Sequence, residues 1–484
     1  MQVLIILMFV TIQFYIYQVF DIGGTYGVTS LDIVTGIFYI IFLKKMFWNG
    51  EKLNIGWNQG LIFIGMFLLT IIISGITPLR TGNYEFLGQY LKSTVHIFFL
   101  CFFTIICASY YLKPEIWTKM IKVWLILSIL INLFGIYQLP ARAFDWPLSW
   151  IPITNVSMGM KGKIDVSEIG QLSLHWGNFY RATSIFSEPS ALAAYNTITF
   201  IFLFIPIVQK NKPFLKSKII NIILWIITLA GLILTFSLTG VVGVLFMIMG
   251  IILFENFRKI ISLMKIIVII ILLFIISDIF VTSYAGISLS GLFMKRIEGI
   301  ISNDSVMNRG TEGESFFYRL DNLKTSVRVW EKHPFIGTGL GLTYSDKDEN
   351  MYYSVSSIAA ALAELGIFGF LTFLFLFISI FNVSLKFIIH PDQFKSLSDD
   401  EKRLMGLTFY LMINLFIDNF VSGNNLSTSS LWVPLGMVLA IINSIYLKKG
   451  NDGYVVTIMK KPLKVAFTKI MSMYIHNKEI KKLN

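Results

Sequence analysis

An all-α polytopic membrane protein with about twelve transmembrane helices is the fold class this sequence predicts. Three observations carry that expectation. The 484 residues are 55% hydrophobic and only 14% charged, with a mean hydropathy of +0.71. A soluble core stops growing well before it could bury that much apolar surface. Apolar segments of spanning length recur along the whole chain, and the connections between them alternate between basic and nearly uncharged.

A span needs about 20 mostly apolar residues. In order, the candidates are 3–20, 28–43, 56–79, 93–112, 121–139, 190–208, 219–237, 240–254, 262–284, 357–381, 405–421 and 431–447. The second is short and flanked by polar residues. The first is apolar from Val3 and lacks a small-residue cleavage site, so it reads as a retained helix and not as a removed signal peptide. Cys101 and Cys107 fall in one apolar segment. Their spacing in a straight helix is too long for a disulfide, so they read as packing residues. His96, in the same segment, reads as a packed histidine.

The basic connections carry Lys44, Lys45 and Lys52; Lys113, Lys119 and Lys122; Lys210, Lys212, Lys216 and Lys218; Arg258, Lys259 and Lys265; and Lys386, Lys395, Lys402 and Arg403. Lys and Arg in short loops stay on the cytoplasmic side, which puts both termini there; an even number of spans requires the same. Most of the net charge of +12 sits in these loops and in the tail. No basic stripe with interleaved aromatics appears on a soluble segment, so a nucleic-acid partner is excluded. Residues 1–447 form one transmembrane domain. The basic cytoplasmic tail, 448–484, either lies on an anionic leaflet or is solvated.

Two loops on the opposite side, 140–187 and 285–355, are too long for simple connectors, and long loops are usually functional. The first runs through Tyr180, Arg181 and Phe186 into Ser187, Glu188 and Pro189, then opens a helix. Ser187 is placed to cap that helix, Pro189 suits its first turn, and Glu188 sits at its positive end. Glu188 either does no more than cap, or stands with Arg181 where an anionic lipid head group arrives, Arg being suited to grip phosphate through several donors.

In the second loop Phe316, Leu320, Leu323, Val327 and Trp330 share one helical face, with Arg319 and Arg328 on the polar side. The economical reading is an amphipathic helix on the outer leaflet. The Gly-rich turn after His333 and Pro334 follows no strand and opens no dinucleotide-binding unit, which excludes a nucleotide site. Asp346, Asp348 and Glu349 read as a solvated acidic loop and not as a metal site. Asp418 and Asn419 lie near the outer end of the eleventh span, and an intramembrane acid is a functional candidate by default. Arg80 and Glu85, in a short outer loop, either join a cavity wall or pair.

Three motifs in order carry a family resemblance. They are Arg181, Phe186, Glu188 and Pro189; Arg319, Trp330 and the run His333 to Gly339; and the run Leu362 to Gly369. Together with the layout of about twelve spans and a large late outer loop, they resemble the bacterial O-antigen polymerase and ligase family. The resemblance implies a GT-C-like membrane glycosyltransferase that needs no metal or other cofactor. Its implied substrate is a glycan carried on undecaprenyl pyrophosphate, and its implied place is the bacterial cytoplasmic membrane with the active site outside. A chain-length regulator and a flippase of the same pathway are the implied partners. Ligases of the family carry a His-Asn-like pair shortly before the last motif; here Tyr353 to Ser357 has no His, which favours polymerase. A metal-free site must stabilise the departing pyrophosphate with Arg. Arg181, Arg319 and Arg328 are the candidates, with Asp418 also expected to bind substrate. The acceptor hydroxyl needs a base, for which Glu188 and His333 are the candidates, although His333 before Pro also suits a role in shaping the turn. The rival classes are a ligase, a transporter of lipid-linked oligosaccharide and a non-catalytic envelope scaffold. A transporter predicts repeated halves and broken helices at mid-membrane.

Overall fold

The computed structural model describes residues 1–24, 26–158, 170–171, 173, 175–255, 257–302, 314–343, 356–394, 396–421, 425–448 and 454–456. Its α-helices are α1 Gln2–Thr11, α2 Ser30–Leu43, α3 Gln59–Ser74, α4 Ile76–Thr81, α5 Tyr84–Ser109, α6 Pro114–Ala143, α7 Pro189–Val208, α8 Lys218–Leu234, α9 Leu238–Phe254, α10 Phe257–Ala285, α11 Leu289–Ser302, α12 Glu314–Lys332, α13 Ser357–Ile389, α14 Asp399–Val421 and α15 Ser429–Lys448. Each predicted span holds one of them: α1 to α3, α5 to α10 and α13 to α15. Among the described residues, seven helical segments are long and apolar enough to cross a membrane. They are Gln59–Thr81, α5, α6, α7, Val268–Ala285 of α10, α13 and α15. The apolar helices α8 and α9 have 17 residues each, and Gln2–Phe14 is shorter still. At about 1.5 Å per residue, 17 residues fall a little short of the roughly 30 Å hydrocarbon core. The second predicted span is the 14 residues of α2, extended by a π-helical turn over Lys44–Trp48.

The helix starts follow from local chemistry. Thr29 and Asp32 form a reciprocal capping box on α2. The Asn83 side chain accepts from the backbone N–H groups of Glu85 and Phe86 at the start of α5, and the Ser217 hydroxyl does the same for Ile220 on α8. Pro114 and Pro189 open α6 and α7 in the first turn, where the missing N–H costs nothing.

α15 and α7 sit at the centre of the bundle, with 83% and 78% of their apolar windows buried. The Val268–Ala285 segment of α10 is only 11% buried and lies at the periphery. α5 packs on α15, α3 on α13, and α14 on α7, α9, α13 and α15. In a bilayer these contacts gain little from the hydrophobic effect, so small residues and interhelical hydrogen bonds matter. Asn132 of α6 and Asn196 of α7 exchange two amide hydrogen bonds of 2.8 Å. Cys101 and Cys107 are buried. His96 is half-buried and hydrogen-bonded at Nδ1 to the Tyr26 hydroxyl, 2.8 Å.

Among the described residues, contacts tie several basic connections to one another, as where Lys45 donates to Tyr110 and Lys212 pairs with Asp399. Lys45 also pairs with Glu51 and Lys448 with Glu401, and Arg403 donates to the carbonyls of Lys212 and Pro213. Within the tail, β6 Tyr454–Val456 pairs antiparallel with β3 Leu53–Ile55. Two other small antiparallel pairs are β1 Gln18–Ile22 with β2 Tyr26–Thr29, and β4 His175–Trp176 with β5 Phe179–Tyr180. The two predicted long loops differ in kind. The second contains α11 and α12. Among its described residues the first has the end of α6, the turn Val156–Met158 and the β4–β5 pair.

α12 packs against α13, and this rotates its buried face from the one the periodicity predicts. Ser326 and Val329 are buried, whereas Leu323 is 39% exposed. A helix braced by a neighbour buries what faces that neighbour, and the small Ser326 fits there.

Candidate active site

The first motif is held by buried arginines. Arg181 is 7% exposed, and its Nε donates to the carbonyl of Thr235 at 2.8 Å, while the Ala182 N–H donates to the carbonyl of Leu234. Arg181 and the Ala182 N–H thereby bind carbonyls at the end of α8 that lack intrahelical partners, where a cation is also favoured by the helix dipole. A second arginine, Arg142, at the end of α6, is 4% exposed. It donates from Nε to the Ser149 carbonyl, from Nη1 to the Arg181 carbonyl, and from Nη2 to Gln171 Oε1 and Thr183 Oγ1. Its guanidinium also stacks over Trp150, 4.1 Å from the ring centre. Gln171 completes the knot by donating to the carbonyls of Ser184 and Phe186. Sequence reasoning passed over Arg142. The signal was an arginine on the side that the charge bias leaves poor in Lys and Arg, close to Trp146 and Trp150.

Ser187 does not cap α7, contrary to expectation. The cap position is Glu188, in an extended conformation at φ −150° and ψ 159°, whose carbonyl receives the Ala191 N–H. Pro189 at the first helical position fixes the turn one residue later than a Ser187 cap requires. The Ser187 hydroxyl bonds instead to the hydroxyl of Tyr15, 2.6 Å away. The half-buried Glu188 carboxylate accepts from the Ser190 hydroxyl. Glu188 opens α7, and the buried Asp418 lies on α14, which packs against α7. Asn419 of α14 ties that helix to α13, accepting from the Ser357 hydroxyl at 2.8 Å.

The second and third motifs are one unit. α13 is interrupted at Gly366, with φ 68° and ψ −170°, and the Gly-rich turn wraps over this break. Backbone N–H groups of Thr338 and Gly339 donate to the carbonyls of Ala363 and Glu364, and Ile367 donates back to the carbonyl of Pro334. A Cβ on Gly337 would stand 2.3 Å from the Glu364 carbonyl group, and one on Gly366 would stand 2.3 Å from that of Phe335. Both positions have positive φ, so glycine is required twice over. The buried Glu364 carboxylate fills the turn, accepting from the Gly341 N–H at 2.7 Å and the Thr343 hydroxyl at 2.8 Å. The Thr338, Gly339 and Gly341 amides of the turn are thus spent on α13. Glu364 had been read only as part of a motif; its partner is 23 positions away in sequence.

His333 closes α12, and its carbonyl receives the Gly337 N–H. The half-buried imidazole lines an open groove of about 340 Å³ with Thr77, Arg80, Thr81, Pro334, Phe335 and Ile336. Burial, and then the adjacent Lys332 ammonium, push the His333 imidazole below its ordinary value. It is therefore neutral at pH 7 and able to take up a proton. The Thr77 hydroxyl donates to the Gly337 carbonyl at 2.7 Å and locks α4 onto the turn, so Arg80 joins the groove wall. Arg328 is exposed on α12. Arg319 lies in the same helix, and its side chain is outside the described residues, as are Asp346, Asp348, Glu349 and Tyr353. Among the described residues, no group of three His, Cys, Asp or Glu side chains is placed to hold a metal ion.

The interlocked turn, the helix before it and the break in α13 lie within one stretch of chain that matches a family model. Residues 223–374 match the family model described as O-antigen ligase. The O-antigen ligase match runs from α8 into α13, beyond the break at Gly366. It takes in Thr235, Arg319, Arg328, His333 and Glu364, and leaves Arg181, Glu188 and Asp418 outside. It covers less than half of the chain. No curated protein matches the chain. Over residues 223–374, within this apolar helical bundle, the chain is thus similar to the O-antigen ligase family.

Proposed function

We propose that the protein is a polysaccharide polymerase of the bacterial cytoplasmic membrane. It transfers a growing glycan from undecaprenyl pyrophosphate onto a lipid-linked repeat unit of an O-antigen, capsule or exopolysaccharide. The observation that carries this reading is the O-antigen ligase match over 223–374, because it contains Arg319, Arg328, His333 and the turn that orients His333. The basic connections face the cytoplasm in this reading, and His333 and Glu188 face outward.

In the proposed reaction a base takes the proton of the acceptor hydroxyl. The acceptor oxygen bonds to the anomeric carbon, and the bond from that carbon to the pyrophosphate oxygen breaks. Undecaprenyl pyrophosphate leaves with the electron pair. His333, neutral at pH 7, is the first candidate base, and Glu188 is the second. Arg319 and Arg328 are proposed to meet the charge on the leaving group. Arg181 acts through position, with its Nε committed to Thr235, and Asp418 orients sugar hydroxyls near Glu188. The bilayer and the lipid-linked oligosaccharide are the partners of this reaction, and a flippase and a chain-length regulator of the same pathway are proposed to work beside it.

A ligase reading is favoured by the description of the matched family; transfer then goes to a different acceptor, with the same donor and the same leaving group. The test supplies purified protein in liposomes with lipid-linked repeat units and resolves the products on a gel. A ladder of increasing length supports polymerase. Transfer only to a second added acceptor supports ligase. Movement of intact lipid-linked sugar across the bilayer with no elongation refutes both.

A further inference from the structure

Arg80 stands where the short outer loops are otherwise poor in positive charge, so a local reason for it is worth seeking. It lies in the last turn of α4. Its neighbour Thr77, one turn earlier, is bonded to the Gly337 carbonyl, and Pro78 packs against Gly339. These contacts hold Arg80 beside the Gly-rich turn, on the same groove as His333. The groove lining contains no carboxylate. Beside the cation the surface is apolar. Phe335 is 63% exposed, and its ring lies 6.3 Å from that of Phe368, itself 56% exposed. Leu79 and Ile76 of α4 are exposed as well. A guanidinium on the wall of a groove, with exposed apolar rings beside it, is complementary to an amphiphile. Its phosphate would meet the cation and its chain would lie against the rings.

We propose that Arg80 is the phosphate-binding residue of a lipid-docking groove, gripping the pyrophosphate of a polyprenyl-linked sugar whose isoprenoid chain runs over Phe335 and Phe368. The assignment rests on the reading of this end as a lipid-pyrophosphate transferase, and it adds a cation that the three motifs do not contain. Within the groove Arg80 faces the departing pyrophosphate, and His333 faces the hydroxyl that attacks.

The test is equilibrium binding of farnesyl pyrophosphate to the full-length protein in detergent, with farnesol as the uncharged control of equal chain length. Wild type should bind the pyrophosphate more tightly than the alcohol. Arg80→Gln should lose that preference, with pyrophosphate affinity falling about 10- to 100-fold, the range for a charge-assisted hydrogen bond. Arg80→Lys should fall in between, because an ammonium cannot engage two phosphate oxygens in a planar fork. Phe335→Ala should weaken both ligands alike. Unchanged pyrophosphate binding by Arg80→Gln overturns the proposal, as does a wild type that does not distinguish the two ligands. If Arg80→Gln does not melt like wild type, Arg80→Lys carries the same comparison. Polymer synthesis is read separately. Arg80-dependent binding with no glycan transfer by any preparation leaves the groove standing and removes the enzymatic reading. Wild-type transfer by Arg80→Gln does the reverse.

Discussion

Gly366 and Gly337 meet back to back, and replacing either by alanine should unseat the Gly-rich turn from α13. The magnitude can be worked from the geometry. Gly366 has φ 68° and ψ −170°, a region reserved essentially for glycine, and occupying it with a side chain costs about 1–3 kcal/mol. The added Cβ would also lie 2.3 Å from the Phe335 carbonyl group and 2.6 Å from the Ile336 nitrogen. These are backbone atoms and cannot rotate aside, so overpacking adds about 1–3 kcal/mol. Gly366→Ala should therefore destabilise by about 2–6 kcal/mol, and Gly337→Ala, at φ 71° and 2.3 Å from Glu364, by a similar amount. Both substitutions disrupt one contact, so the double variant should cost clearly less than the two single effects added together. Gly65→Ala in α3 is the control: nothing lies within 4 Å of its added Cβ, and helix propensity predicts a gain of about 0.5–1 kcal/mol. Unfolding of the purified protein in mixed detergent micelles reads all four variants. A Gly366→Ala protein as stable as Gly65→Ala would refute the interlocked-turn argument.

Glu364 accepts from two buried donors, so Glu364→Ala should cost about 2–4 kcal/mol by leaving them unpaired. Glu364→Gln should cost under about 1 kcal/mol, since its carbonyl oxygen still accepts from Gly341 and its amide can donate to a rotated Thr343 hydroxyl; equal losses in thermal melts would contradict this account. Arg142→Lys keeps the charge but loses the planar fork that reaches Ser149, Arg181, Gln171 and Thr183. It should destabilise by about 2–4 kcal/mol, and resistance to limited proteolysis equal to wild type would argue against the knot. The last prediction concerns pH. With His333 depressed by burial and then by Lys332, its neutral, base-competent form persists at neutral pH. That form is lost as pH falls through a value below the ordinary of about 6.5. Removing the ammonium in Lys332→Gln should raise the His333 value and move the acid limb of transfer activity to higher pH. An acid limb that stays put, or moves down, removes His333 as the base.

Much of the site was visible as motifs and very little of it as geometry. The predicted spans coincide with helices because hydropathy summed over about 20 residues is a local property of the chain. Pro189 marks the start of α7 because the first-turn preference of proline is local too. Ser187 shows the limit of that logic: a hydroxyl suited to a cap is taken by Tyr15, 172 positions away. The rotated face of α12 has the same origin, since periodicity reports an amphipathic helix but not the neighbour against which it settles.

The sequence by itself determined an apolar all-helical bundle, its charge polarity and the three motifs, because these depend on residue type and near-neighbour spacing. Only the tertiary structure decided that two of those motifs are one object, joined where Gly337 and Gly366 let two backbones touch and Glu364 fills the turn. It also decided that Arg142 braces Arg181 and that Arg80 shares a groove with His333. Close backbone approach and buried polar pairing involve residues far apart along the chain, and no window of composition or period registers them.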